Sequence, residues 1–179
     1  MPDAFASPAE LATFLRTASQ VEADAGSGDV LDTGTALLAL SGASGAIRSV
    51  CGWSISQETV TETFALGQTV FLPTLNLTAV SVPSAVDGVA WSRNGTVRLS
   101  NVYPFAAAAA ITYTHGYDPV PDAVKAVCLE LAARSYVNPE QYVSVTRGTV
   151  TDVFASSRVD QGSLKDDPRL QPFMLPGVA

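Results

Sequence analysis

Charge is scarce in this sequence: Asp, Glu, Lys and Arg together make up 15% of its 179 residues, against about 25% in an ordinary soluble domain. A lone monomer would have little charge to spread over its surface. Hydrophobic residues reach 47% and the mean hydropathy is +0.23. Yet no run approaches the roughly 18–20 apolar residues needed to cross a bilayer. No membrane partner is therefore expected, and apolar surface is expected to be covered within a subunit assembly.

Reactive side chains are equally sparse. Two distant cysteines, Cys51 and Cys128, fit neither a disulfide framework nor a zinc pattern, and their apolar neighbours mark them as buried free thiols. With His115 as the one histidine, a transition-metal site would need carboxylates alone, and no calcium-loop spacing is present. Neither "GTALLALSG" nor "GASGAIRS" ends in Gly-Lys-Ser or Gly-Lys-Thr, so no phosphate-cradling loop is predicted. Aromatics, at 8%, are not interleaved with basic residues as a base-stacking surface would require. No cofactor is expected. The opening "MPDAFASPAELATF" has neither a basic stretch nor an apolar signal core, which points to residence in the cytoplasm where the chain is made.

The charge that is present is mostly negative, with a net charge of −7 and a pI near 4.5. It is also uneven. Asp3, Glu10, Glu22, Asp24, Asp29, Asp32, Glu58 and Glu62 precede residue 66, where only Arg16 and Arg48 oppose them. Such a half suits a basic partner, a passage along which DNA slides without sticking, or simply a solvated face.

At 18.6 kDa the chain has the size of one domain. Ser7-Pro8-Ala9-Glu10 is a capping box with proline at the first helical position, so a helix is predicted over 8–19 with Leu11, Phe14, Leu15 and Ala18 on one face. A polar, glycine-rich stretch, 22–34, reads as a loop. A second helix, 35–51, carries Leu37, Leu40, Ser44, Ile47 and Cys51 on one stripe. Gly42 and Gly45 inside it each cost about 1 kcal/mol relative to alanine, so either another backbone approaches closely there or the helix breaks. Residues 53–114 have strand composition, and Asn94-Gly95 predicts a type I′ hairpin within "AWSRNGTVRL". The Ala106–Ala110 run is joined to "ITYT" as one strand. A third helix, 121–137, is apolar on several sides, with Glu130 and Arg134 as an i, i+4 pair. The fold class is α+β: three main helices with a β-rich insert between the second and third. Residues 1–139 form the body and 140–179 a C-terminal arm, whose Pro168, Pro172 and Pro176 forbid a regular helix. The arm is either frayed or extended and docked on a neighbour.

His115 and Asp118, with a cysteine or serine, could be drawn as a catalytic triad. However, the strand-to-turn setting of His115-Gly116-Tyr117-Asp118-Pro119 accounts for each residue structurally, and no catalytic residue is assigned.

The order of features carries more than any one of them. A helix of small residues ending "AIRSVCGW", an insert with "VFLPTLNLTAVSV" and "VDG", then "ITYTHGYDPVPDAVKAVCLELAARSYVNP" resembles the head-to-tail adaptor (connector) proteins of long-tailed bacteriophages over residues 33–139. That resemblance implies a virion structural protein of the phage neck and no enzyme. It implies a small helical bundle with a β insert, assembled in the host cytoplasm into a ring under the portal protein, following the portal's twelvefold symmetry. The ring would extend the channel for passing double-stranded DNA and offer a platform to a stopper or tail-completion protein.

On that basis Val124, Val127, Leu131 and Tyr136 are expected to pack against adjacent subunits. Tyr142, Val143, Val145, Val153, Phe154, Leu170, Phe173, Met174 and Leu175 form the candidate portal-binding arm. Asp24, Asp29, Asp32 and Asn94 are candidates to face the channel. Alternatives are a tail-completion or stopper protein, a small hydrolase using His115, and a free-standing binding module.

Overall fold

The computed structural model describes residues 4–19, 32–65, 69–82, 86–102, 108–137, 144–147, 150–153 and 164–176. They form three α-helices and small antiparallel sheets, in keeping with the α+β reading. The chain divides into two compact units, Met1–Val50 with Asp122–Pro172, and Cys51–Pro121 with Phe173–Ala179. Each unit is thus built from two separated stretches of chain.

In the first unit, helix α1 spans Pro8–Ser19, as the capping box predicts. The Ser7 backbone N–H donates to Glu10 Oε2 (2.7 Å) and the Glu10 N–H to Ser7 Oγ (3.2 Å), satisfying two of the free donors at a helix start. Leu11 is fully buried. Helix α2 spans Thr33–Cys51 and begins two residues before the predicted start, because Asp32 accepts from the Thr35 N–H (3.0 Å) and the Gly34 N–H (3.4 Å) as an N-cap. Its buried stripe runs through Ala36, Leu40, Ala43, Ile47 and Val50. Leu37, expected on that stripe, is instead 49% exposed.

Helix α3 spans Asp122–Val137 and packs on α1. Val124, Val127, Cys128, Leu131, Ala132 and Ala133 are all buried, a wide arc that matches the expected multi-sided burial. Glu130 feels the charge of its expected i, i+4 partner Arg134, but its hydrogen bonds are made with another arginine. It receives the Arg169 guanidinium in a fork, at 2.6 and 2.9 Å, while Arg169 also reaches Asp167. A rigid bidentate pair outcompetes a single exposed helix-surface contact. A short hairpin, β7 (Ser144–Arg147) with β8 (Val150–Val153), completes the strands of this stretch.

The second unit holds two three-stranded antiparallel sheets. One orders β1 (Glu58–Ala65), β6 (Ala108–His115) and β3 (Leu77–Ser81) with β6 in the middle; the other orders β2 (Thr69–Phe71), β5 (Thr96–Val102) and β4 (Val86–Trp91) around β5. Val70, Leu72, Leu77, Val97, Leu99, Ile111 and Tyr113 form their shared core. On the opposite side of β6, Thr59 meets Thr114 and Thr61 meets Thr112, each at 2.8 Å, the cross-strand pairing that favours threonine in sheets. Residues 108–110 of the alanine run do lie in β6, held by pairing to Phe64 and its neighbours despite alanine's helix preference.

The β4–β5 turn differs from the two-residue form expected from Asn94-Gly95. Trp91 pairs with Val97, the Ser92 N–H donates to Thr96 O (2.9 Å), and the Gly95 N–H donates to Ser92 O (3.1 Å). Arg93, Asn94 and Gly95 are therefore a three-residue loop, with Gly95 at φ +80° supplying the left-handed position of a bulged hairpin. A Cβ on Gly95 would lie 2.5 Å from the Leu72 carbonyl oxygen, so glycine is demanded twice over.

Between residues 164 and 176 the chain is not extended, contrary to the expected arm. Leu164 and Leu170 are buried, the Leu170 N–H closes a turn on Asp167 O (3.0 Å), and a 3₁₀ turn covers Gln171–Phe173. Proline excludes a long helix, but it does not exclude tight turns.

Candidate functional site

His115 is the natural starting point for chemistry, and the fold walls it in. It ends β6 opposite Glu58 and is 3% exposed. Its ring lies 5.2 Å from that of Tyr113 and 6.0 Å from that of Trp53. Nε2 is 3.5 Å from Glu58 Oε1, and Nδ1 is buried with no hydrogen-bond partner among the described residues. Asp118, the other half of the sketched triad, is exposed and does not satisfy Nδ1. Burial holds the imidazole below its ordinary value, against the opposing pull of Glu58 and Glu62. Tyr113 donates its hydroxyl to Glu62 Oε2 at 3.2 Å, and burial pushes that phenol up.

This cluster has a testable pH signature. A histidine depressed in the fold stays neutral while the unfolded chain takes up a proton. Stability should therefore fall as pH drops below the ordinary 6.5 and level off below the folded value. The groups facing His115 are Glu58, Glu62, Tyr113 and Trp53. In His115→Gln, urea midpoints should lose the decline that starts near pH 6.5 and retain any that belongs to the acids.

The turn after His115 is equally structural. Asn76 Nδ2 donates to Gly116 O (2.5 Å) and the Gly116 N–H donates to Asn76 O (2.9 Å). The Tyr117 N–H reaches Ile55 O at 2.8 Å and the Gln57 N–H reaches Tyr117 O at 3.1 Å. The C-terminal stretch closes on the same place. Phe173 meets Tyr117 edge-on at 5.8 Å, its carbonyl accepts the Trp53 indole N–H (2.6 Å), and the Leu175 N–H donates to Cys51 O (3.0 Å).

The thiols are buried as expected. Burial pushes Cys51 up to about 11 and raises Cys128, whose sulfur lies 3.4 Å from Ser44 Oγ. Neither is a poised nucleophile near neutral pH. Among the described residues no group of three or more His, Cys, Asp or Glu side chains could hold a metal ion, and no helix is long and apolar enough to cross a membrane.

No family model and no curated protein matches this chain.

The residues singled out from sequence scatter. Val124, Val127 and Leu131 are 0, 2 and 6% exposed, so they belong to the core of the chain itself and are not free to pack on another copy. Tyr136 is half-buried and its hydroxyl accepts from the Asp32 N–H (3.2 Å). Of the arm residues, Leu170 is fully buried, Phe173 and Leu175 are anchored as above, and Met174 is half-buried. Val145 and Val153 lie on β7 and β8. Tyr142, Val143, Phe154, Asp24 and Asp29 fall outside the described residues. Asp32 caps α2, and Asn94 is exposed at the β4–β5 turn.

Other residues stand out on the surface. Leu38 is 75% and Phe71 74% exposed, with Leu37 at 49% and Trp91 at 43%. Gly42 and Gly45 do not break α2, and a Cβ on either would meet nothing within 4 Å. The backbone expected against them is not supplied by the described part of the chain. Sequence reasoning named the glycines but passed over Leu38, because a stripe counted from Leu37 leaves its neighbour unexamined.

Proposed function

We propose that this chain is a virion structural protein of the phage neck, a head-to-tail adaptor whose copies form a ring on the portal protein and extend its channel for DNA. The observation that carries the reading is the open face of α2. Leu37 and Leu38 are exposed there, and two interior glycines, each unfavourable by about 1 kcal/mol against alanine, have nothing against them among the described residues. Glycine at such positions earns its place when another backbone comes close, and a neighbouring subunit supplies one. The scarcity of charge, 15% of the sequence, supports the same view, as does the sealed position of His115.

The test is electron microscopy of the purified chain mixed with isolated portal rings. An added ring layer on the portal is the expected result. In Leu38→Glu, which places a carboxylate on an exposed site and leaves the core untouched, the layer should fail to form. Binding to isolated tails in place of portals would move the chain one layer further down the neck, and binding to neither would end the proposal.

A further inference from the structure

His115 Nδ1 is a buried polar atom with no hydrogen-bond partner among the described residues, on a side chain that is 3% exposed. Such an atom calls for an explanation. Its surroundings belong to one compact unit, Cys51–Pro121 with Phe173–Ala179, and each neighbouring element contributes differently. From β1, Glu58 Oε1 lies 3.5 Å from Nε2 and the charge of Glu62 is felt. β6 itself supplies the Tyr113 ring at 5.2 Å. β3 sets Leu77 opposite His115 and holds no titratable side chain. Ahead of β1, Trp53 brings its ring to 6.0 Å.

A carboxylate only accepts, so with Glu58 at Nε2 the hydrogen of the neutral imidazole sits on Nε2 and Nδ1 keeps a bare lone pair. Acid changes the demand at that atom. A proton from solvent bonds to Nδ1, no other covalent bond breaks, and the ring becomes a cation whose new N–H has no acceptor among the described residues. A buried charge with an unmet donor costs far more than a bare lone pair, and water can meet it only if a neighbour moves. Tyr113 belongs to the middle strand and is paired on both sides. Trp53 lies outside the strands and is the neighbour that can yield. It is also the residue that holds the C-terminal stretch, through its indole N–H on Phe173 O (2.6 Å).

We propose that His115 is a proton-operated latch: a proton taken up at Nδ1 displaces Trp53 and frees Phe173–Leu175 while both sheets stay folded. The sign follows from burial, which holds the imidazole below its ordinary value in the closed latch and no longer does so once water reaches it. Opening therefore becomes easier as pH falls below the ordinary 6.5, by about tenfold per pH unit, and levels off below the closed value. The latch lies within a single chain, so it is independent of any ring on a portal.

Amide exchange on the full chain from about pH 8 to about pH 5, expressed as protection relative to an unstructured peptide at the same pH, reads the latch. The Leu175 N–H, held by Cys51 O at 3.0 Å, should lose protection about tenfold per pH unit below the ordinary histidine value. In His115→Gln that loss should vanish. A local release exposes little surface, so exchange at Leu175 should change little with low urea, whereas the Leu72 N–H, held by Gly95 O at 2.8 Å, should be better protected and follow the full unfolding slope. Nitrogen NMR of the His115 ring should show its protonation over the same pH range. Trp53→Phe keeps the histidine and removes the indole donor, so its Leu175 protection should start lower and keep the same pH slope.

Protection at Leu175 that is flat with pH, or that declines equally in His115→Gln, would overturn the inference. So would a Leu175 amide that matches Leu72 in protection and urea slope, because the stretch would then be released only when the whole unit unfolds. Trp53→Phe with wild-type protection at Leu175 would remove Trp53 from the latch.

Discussion

Gly116→Ala is expected to destabilise the second unit by about 3–5 kcal/mol, enough to unfold a domain of ordinary stability under mild urea. Gly116 sits at φ +98°, where a side chain costs roughly 1–2 kcal/mol through its own backbone alone. The larger part comes from a neighbour that cannot yield. A Cβ at this position would lie 2.3 Å from the Ser56 carbonyl oxygen and 2.7 Å from the Gln57 nitrogen. That backbone is held by the Ser56–Tyr117 bridge and by the Gln57 N–H on Tyr117 O at 3.1 Å. Relieving the clash means opening the bridge. Gly34→Ala is the control, since its Cβ would meet only the Asp32 carboxylate, at 3.8 Å, and its urea midpoint should stay within about 0.5 kcal/mol of wild type. Equal midpoints for Gly116→Ala and wild type would refute the account of this turn.

Trp53→Ala should have a comparable effect, about 3–5 kcal/mol, and it should also release the C-terminal stretch. Trp53 is 6% exposed, with ring contacts to His115 and Tyr117, and its indole N–H donates to Phe173 O. Removing it vacates the site and leaves that carbonyl unpaired. Trp53→Phe keeps an aromatic ring and loses the donor, so most of the packing survives and the hydrogen bond accounts for about 1 kcal/mol of loss. Amide exchange at Leu175, whose N–H is held by Cys51 O, distinguishes packing from clasp. It should accelerate strongly in the alanine variant and modestly in the phenylalanine one. Protection at Leu175 that is unchanged in Trp53→Ala would mean the tail is held by something other than this contact.

Local signals in the sequence were the legible ones. The Ser7–Glu10 box located α1 to the residue because capping is decided within four positions. The threonine- and valine-rich composition of 53–114 correctly foretold sheets, and the apolar girth of α3 foretold its burial. Features settled by distant partners were not legible. The Arg169–Glu130 fork joins residues 39 apart, and nothing near Glu130 argues against its i, i+4 neighbour Arg134. The hairpin loop gained a residue because its length follows from the Trp91–Val97 register, which two turn residues alone do not determine.

The surface was the least visible. Leu37 was assigned to the buried stripe of α2, but Ala36 is buried in its place; both lie near the edge of that stripe, and only packing selects between them.

Trp53 and the carbonyl it holds are 120 residues apart. During translation the indole therefore leaves the ribosome long before Phe173 exists. Until then Trp53 lacks the carbonyl it holds and Tyr117 lacks its edge-on neighbour, so this clasp can close only after residue 173 has been made.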